Sequence, residues 1–235
     1  MTEVSSFSQN KLLSTLPDSV YQRLSPYFEE VSLTQQQILH QSGETIQHVY
    51  FPHQASVSLV LVTSDKTTTE IGLVGNEGMV GLPVILGGES TTTHYIVQIP
   101  GKATKLATSI LQEEFKRGEE LQQLLLLYTQ AQLSQIAQNA ACQSHHLIEQ
   151  RFARWLLSVR DCTGKDRLPL TQKLISMMLG VRRASVTEAA ISLQQAEVIT
   201  YSRGQIVIID SQRLESLACE CYNKIQDEYA RLLDR

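Results

Sequence analysis

Arg182, Arg183 and Ser185 stand at the start of a helical pattern, opposite its apolar face of Val186, Ala189, Ala190 and Leu193. Two guanidiniums and a hydroxyl at the start of a helix are suited to donating hydrogen bonds to phosphates and to base edges. They need an element to brace them. Residues 172–179 supply one, with Leu174, Ile175, Met178 and Leu179 recurring at helical spacing. Thr171 is placed to cap that helix, and Gly180 to end it in the left-handed conformation. A bracing helix, a tight turn and a second helix with a polar start make the pattern of a helix-turn-helix, whose second helix enters the DNA major groove. The same parts occur in all-α domains that touch no nucleic acid, so the pattern alone leaves both readings open. The next residues add weight to DNA. Residues 198–201 and 205–209 read as two strands joined at Arg203 and Gly204, with Gly204 suited to a positive φ. A hairpin after a helix-turn-helix makes a winged helix, and Arg203 at the wing tip is placed to meet phosphate.

The charge is distributed to match. The 235-residue chain has a formal net charge of −4, yet residues 1–143 hold 7 Lys and Arg against 13 Asp and Glu, and residues 144–235 hold 13 against 11. Within 165–209 the count is 6 basic to 3 acidic. DNA affinity follows the local basic face rather than the total. A hydrophobic content of 42% supports one large domain or two smaller ones. No apolar run approaches the ~20 residues that span a bilayer. The first six residues lack the basic and apolar stretches of an export signal, and four scattered cysteines make no disulfide framework. A cytoplasmic location is the expectation.

The elements that position the recognition residues follow from periodicity. Residues 8–30 read as one or two short helices, with Pro17 at a helix start. Runs rich in Val, Ile, Leu and Thr follow at 31–33, 37–40, 46–51, 56–62, 69–74, 79–86, 93–99 and 103–107, alternating most clearly in 56–62. Eight of the 12 glycines lie between Gly43 and Gly101, so this region is turn-dense and predicts a small jelly roll or β-barrel. Residues 109–115 read as a short helix. The next helix is apolar nearly all round from Leu121 to Tyr128, then narrows to Leu133, Ile136, Ala137 and Ala140. Such a helix needs cover on two sides. The barrel would provide one and the same helix of a second subunit the other, through Leu126, Leu133, Ile136 and Ala140; burial within a monomer is the alternative. An amphipathic helix at 145–162 turns Leu147, Phe152, Trp155, Leu156 and Val159 inward and leaves Glu149, Arg151, Arg154 and Arg160 free to face out. A single helix over 211–233 closes the chain. The expected division is a barrel over 1–118, a linker helix over 119–143 and a winged helix over 144–235, an α+β protein.

This arrangement resembles the Crp/Fnr family of bacterial transcription regulators over nearly the whole chain. Residues 168–172, 178–188 and 201–208 carry the resemblance most specifically. Asn76-Glu-Gly-Met-Val-Gly-Leu-Pro-Val and Cys219-Glu-Cys-Tyr look like one subgroup of that family. The resemblance implies a homodimeric, non-enzymatic, sequence-specific regulator whose partners are double-stranded DNA and RNA polymerase, with no membrane. It places Thr171 and Gln172 on phosphate, and Arg182 and Ser185 at flanking backbone positions. Arg183 takes the position of the arginine that reads guanine O6 and N7. Ala184 and Glu188 fall at the next base-reading positions, which are a glutamate and an arginine in the cyclic-AMP-binding members. Ala184 cannot accept from cytosine, and Glu188 inverts the charge, so a different operator is expected. In the barrel, the stretch whose glutamate binds the ribose reads Gly81, Leu82, Pro83 and Val84 here, and the phosphate-binding arginine position falls near His94 and Tyr95. Cyclic AMP is not expected, and no cofactor is implied. An effector at Gly81, Leu82, His94 and Tyr95, or a constitutive regulator with none, both remain.

Other chemistry reads more weakly. Cys219-x-Cys221 has no second pair nearby in sequence and so reads as structural. His145 and His146 read as a solvated helix start. His40, His48 and His53 form no His-x-His pair. A metal-binding or small-molecule-binding barrel and a protein-interaction adaptor are the readings from other classes.

Overall fold

The computed structural model describes residues 9–64 and 67–234; the first six residues, read for an export signal, lie outside that range. Among the described residues two short helices come first, α1 (Lys11–Ser14) and α2 (Asp18–Leu24), with Pro17 as the N-cap of the second. Seven strands follow: β1 (Glu29–Leu33), β2 (Ile38–His40), β3 (His48–Pro52), β4 (Ser56–Val62), β5 (Thr68–Val74), β6 (His94–Ile99) and β7 (Gly101–Ala107). They form two antiparallel sheets, ordered β1-β7-β3 and β2-β6-β4-β5. Leu33 and Ala103 of the first sheet pack with Val57, Leu59, Val74, Tyr95 and Val97 of the second. The run at 79–86, expected as a strand, is a single 3₁₀ turn over Leu82–Ile85 after a lone bridge from Val80 to Tyr50. Gly81 enters that turn at φ 108°, and Pro83 removes a ladder donor, so the chain cannot extend there.

Strand β4 shows what its pattern missed. Ser56 through Val60 are all buried, though alternation predicted one open face. Helices cover that face. After α3 (Thr108–Phe115) come the long α4 (Glu120–His145) and α5 (Ile148–Thr163). Val60 of β4 shares a core with Phe152, Trp155 and Leu156 of α5. Ser58 is tolerated there because it is partnered: its Oγ donates to Glu70 of β5.

The C-terminal part is β8 (Arg167–Leu168), α6 (Gln172–Leu179), α7 (Arg183–Gln195), β9 (Ile199–Ser202), β10 (Gln205–Ile208), α8 (Ser211–Leu217) and α9 (Cys221–Leu233). The wing is three-stranded, ordered β8-β10-β9. The helix expected over 211–233 is broken, because Ala218 turns extended (ψ 160°) and Cys219 and Cys221 are buried against Cys142. The helix expected to begin at 145 begins at Ile148, since His146 and Leu147 are both extended. Leu147 is therefore exposed rather than inward, and Arg154 is buried rather than outward.

Helix α4 has three faces. Tyr128 Oη donates to the Met79 carbonyl, Gln135 Oε1 accepts from Leu73 N–H, and Asn139 donates to the Ile71 carbonyl, seating one face on the sheet-rich domain. A second face is covered by the chain's own α9, through Gln135–Tyr229 and Ser134–Glu228. This corrects the expectation that a second subunit supplies the second cover. A third stripe stays open: Leu126 and Leu133 are 49% and 62% exposed, and Ala140, a further seven residues on, is exposed too. Ile136 is half-buried and would lie 3.5 Å from a Cβ at Gly72.

Candidate nucleic-acid interface

Helix α6 is started by Thr171, whose Oγ1 accepts from Leu174 N–H at 3.2 Å. It ends at Gly180, left-handed at φ 63°. Val181 N–H closes the turn on the Ser176 carbonyl at 3.0 Å. Leu174, Ile175, Met178 and Leu179 are buried with Val186, Ala189, Ala190 and Leu193 of α7, as the spacing predicts. That contact fixes the rotation of α7 about its axis. Arg182, Arg183, Ala184 and Glu188 are thereby left exposed on one side, with Ser185 half-buried. Among the described residues, Arg182, Arg183 and Arg203 make no ion pair, so their charges stay available to an outside anion.

The wing tip reaches the start of α6. Arg203 and Gly204 both take positive φ, 50° and 75°, the two left-handed positions of a tight hairpin. A Cβ on Gly204 would lie 3.3 Å from Thr171 Cγ2, so the wing tip sits against the start of α6. The fold thus brings Thr171, Gln172 and Arg203 near one another, though 30 residues separate the groups in sequence. Glu188 places an anion on the same surface, which disfavours phosphate and leaves it suited to accept from an exocyclic amine.

Helix α6 also touches the sheet-rich domain. A Cβ on Gly180 would meet Thr69 Oγ1 at 3.2 Å, Gln98 Nε2 lies 2.9 Å from Met178 Sδ, and Gln35 donates to the Pro169 carbonyl at 2.8 Å. Beside them, Trp155 Nε1 of α5 donates to Glu70 Oε1 at 2.8 Å. Burial pushes the Glu70 carboxyl up to about 7, against the pull of the Ser58 and Trp155 hydrogen bonds and the Arg154 charge. A carboxyl that titrates near neutrality therefore sits where the two domains meet.

The four barrel residues named from sequence are only partly brought together. Gly81 faces His40, whose Nε2 would lie 3.5 Å from an added Cβ. His40 packs edge-on against Tyr95, ring centroids 5.3 Å apart. Burial and the neighbouring His48 hold the His40 imidazole down at about 4, so it is neutral at physiological pH. Leu82 and Tyr95 are buried, and burial pushes the Tyr95 phenol up to about 12. His94 lies apart, its Nδ1 accepting from Ser42 N–H at 3.4 Å. The cavity beside His40, His48 and Tyr50 holds about 130 Å³, below the ~300 Å³ at which ligand pockets begin. Among the described residues, His40, His48 and His53 do not converge as a ligand set; His53 instead pairs with Thr104 at 2.9 Å.

Sequence reasoning missed two features. A larger cavity of about 360 Å³ lies among α1, α4, α5 and α9, lined by Lys11, Glu77, Gln135, Asp161 and Tyr229. Burial pushes the Glu77 and Asp161 carboxyls up. Its lining comes from five distant segments, so no local motif announces it. The second feature is the convergence of Cys142, His146, Cys219 and Cys221. The spacing argument that Cys219 and Cys221 have no second pair nearby fails in three dimensions, and His146 is not a solvated helix start.

Residues 150–217 match the Crp-like helix-turn-helix domain. No curated protein matches the sequence. The structure is similar to that of FixK2 from Bradyrhizobium japonicum (TM-score 0.68, 18% identity, covering 82% of this chain and 98% of that one). It is also similar to TTHB099, a transcriptional regulator of the CRP family from Thermus thermophilus (0.65, 16%, 80% and 96%), and to CLP, the c-di-GMP responsive global regulator of Xanthomonas campestris (0.63, 13%, 83% and 100%). The match identifies the C-terminal segment as a Crp-like helix-turn-helix domain. The solved structures share its fold over 80–83% of the chain, and no helix among the described residues is long and apolar enough to cross a membrane.

Proposed function

We propose that this regulator binds an inverted-repeat DNA site as a homodimer, reading bases with Arg183, Ala184 and Glu188. Thr171, Gln172, Arg182, Ser185 and Arg203 hold phosphates. The observation that carries the reading is the exposed side of α7, where Arg182, Arg183, Ala184 and Glu188 are open to solvent, with Arg183 unpaired among the described residues and α7 locked by its buried face. Dimerisation is supported by the open stripe of α4, where Leu126, Leu133 and Ala140 recur every seven residues, the period of a two-helix seam. Two such subunits would set their recognition helices about one DNA turn, ~34 Å, apart.

The route of control we infer runs through the domain contact. Strand β5 touches α4 through Gly72 and Leu73, and α6 through Thr69. A shift in the barrel would thus be felt by the dimer helix and the helix-turn-helix together, as a population shift requires. Leu82 cannot accept a ribose hydroxyl, and no arginine replaces the phosphate contact at His94 or Tyr95, so cyclic AMP is not the effector we infer. The test is selection of bound duplexes from a random pool by purified protein at ~150 mM salt. The expected product is an inverted repeat with half-sites about one turn apart. A single unrepeated site would contradict the dimeric reading, and enrichment of nothing, with or without cell extract, would contradict the role in DNA reading given to α7.

A further inference from the structure

The tightest constellation of chemically active side chains lies away from both the recognition surface and the barrel cavity. Cys142 and His146 are four residues apart, one turn, at the end of α4. Cys219 and Cys221 flank Glu220 where the break after α8 turns the chain into α9. Cys142 Sγ lies 3.4 Å from Cys219 Sγ, and Cys221 Sγ lies 3.5 Å from His146 Nδ1. All four atoms fall within 4.8 Å of one another. A tetrahedral zinc ion with Zn–S near 2.3 Å and Zn–N near 2.0–2.1 Å sets its ligands about 3.6–3.8 Å apart. The cluster has the size of one ion's coordination shell.

We propose that Cys142, His146, Cys219 and Cys221 form a Cys₃His site for a single zinc-class divalent ion, which ties the α8–α9 junction to the end of the long helix.

The surroundings are built for it. Glu220 Oε2 lies 3.2 Å from His146 Nε2. A carboxylate there accepts a hydrogen bond from Nε2–H, which keeps the proton on Nε2 and leaves the Nδ1 lone pair directed at the three sulfurs, the usual outer support of a ligating histidine. Gln138 Nε2 donates to Cys221 Sγ at 3.1 Å, a hydrogen bond suited to a thiolate. Arg154 is 7% exposed, its Nε has no partner, and its charge reaches Cys142. Arg151, also with an unpartnered Nε, feels Cys142 and Cys219. Burying an uncompensated guanidinium is costly. Three thiolates around a divalent ion carry one net negative charge, which gives these arginines a counter-ion that three neutral thiols would not. An ordinary buried cysteine cluster would need neither the carboxylate behind the histidine nor the arginines behind the sulfurs. Cys162 shows the contrast. It is buried against Gly75 and Glu77, and burial pushes its thiol well up.

The test uses untagged, full-length protein from zinc-supplemented cells, with metal content measured by mass spectrometry. Reduced, chelator-treated protein is then titrated with Co²⁺. We expect one zinc per chain, released by a mercurial thiol reagent. The cobalt form should show sulfur-to-metal charge transfer and tetrahedral ligand-field bands. Cys219→Ser and His146→Gln should each weaken binding at least tenfold, while Cys162→Ser leaves it unchanged. Should the cluster variants fail to fold, the wild-type cobalt spectrum and a chelator-induced, zinc-reversible drop in Tm decide the matter. An octahedral cobalt spectrum, undiminished binding by folded Cys219→Ser, iron with acid-labile sulfide, or a Cys142–Cys219 disulfide in zinc-grown protein would each overturn the proposal.

Discussion

The winged helix and the barrel present their candidate ligand residues in opposite ways. Arg182, Arg183, Ala184 and Glu188 are exposed along one side of α7. Leu82 and Tyr95 are buried, and the cavity beside Gly81 and His40 is small. The first region is open to a partner that comes from outside; in the second, Leu82 and Tyr95 are closed in by packing, and the small cavity is lined by His40, Glu44 and His48. The helix-turn-helix half exposes its candidate polar groups, while the barrel half buries Gly81, Leu82 and Tyr95. A shared fold therefore says less about the effector than about the groove.

The contrast can be broken first at the helix that joins the halves. Replacing both Leu126 and Leu133 with Glu puts charges on the open stripe of α4 without touching its buried faces. Sedimentation should then report monomers, and affinity for an inverted repeat should fall by more than a hundredfold; a dimer that survives would move the interface elsewhere. Next is the domain contact. Glu70 rests at about 7 in the folded protein against 4.5 for the free side chain. The folded state thus holds its proton more tightly than the unfolded state does. That contribution is complete below pH 4.5 and is lost as pH rises through 7, by about 3 kcal/mol. Glu70→Gln should remove this part of the slope and raise Tm relative to wild type above pH 7. Equal Tm differences at pH 5 and pH 8 would show that the carboxyl stays ionised. On the recognition surface, Arg183→Ala should cost about 1–3 kcal/mol of specific binding, measured by anisotropy against a matched and a mismatched duplex. The smallest effect is at the wing. Arg203→Ala should weaken all sequences alike and lower the salt slope of binding by about 1.

The same division separates what the sequence disclosed from what it hid. Helix-turn-helix and wing were legible because their signals are local: Thr171 caps, Gly180 and Gly204 take positive φ, and the apolar faces of α6 and α7 recur at 3.6-residue spacing. Strand β4 looked half-exposed because periodicity cannot see that α5 covers its second face. The long helix was read correctly as needing two covers, but only the tertiary structure shows α9 returning to supply one. The helix break at Ala218 has no proline or glycine to announce it. It follows from the burial of Cys219 and Cys221 against a residue 77 positions upstream. Contacts of that range, like the cavity lined by Lys11 and Tyr229, carry no signature within any short window.

The most direct test of the central claim, that Arg183 on the exposed face of α7 reads a base, is parallel selection from one random DNA pool by wild type and Arg183→Ala at the same salt. The account predicts that both recover an inverted repeat, and that the variant loses preference at one position of each half-site while the others hold. A variant that recovers the wild-type sequence at every position, merely bound more weakly, would make Arg183 a phosphate contact and contradict the account.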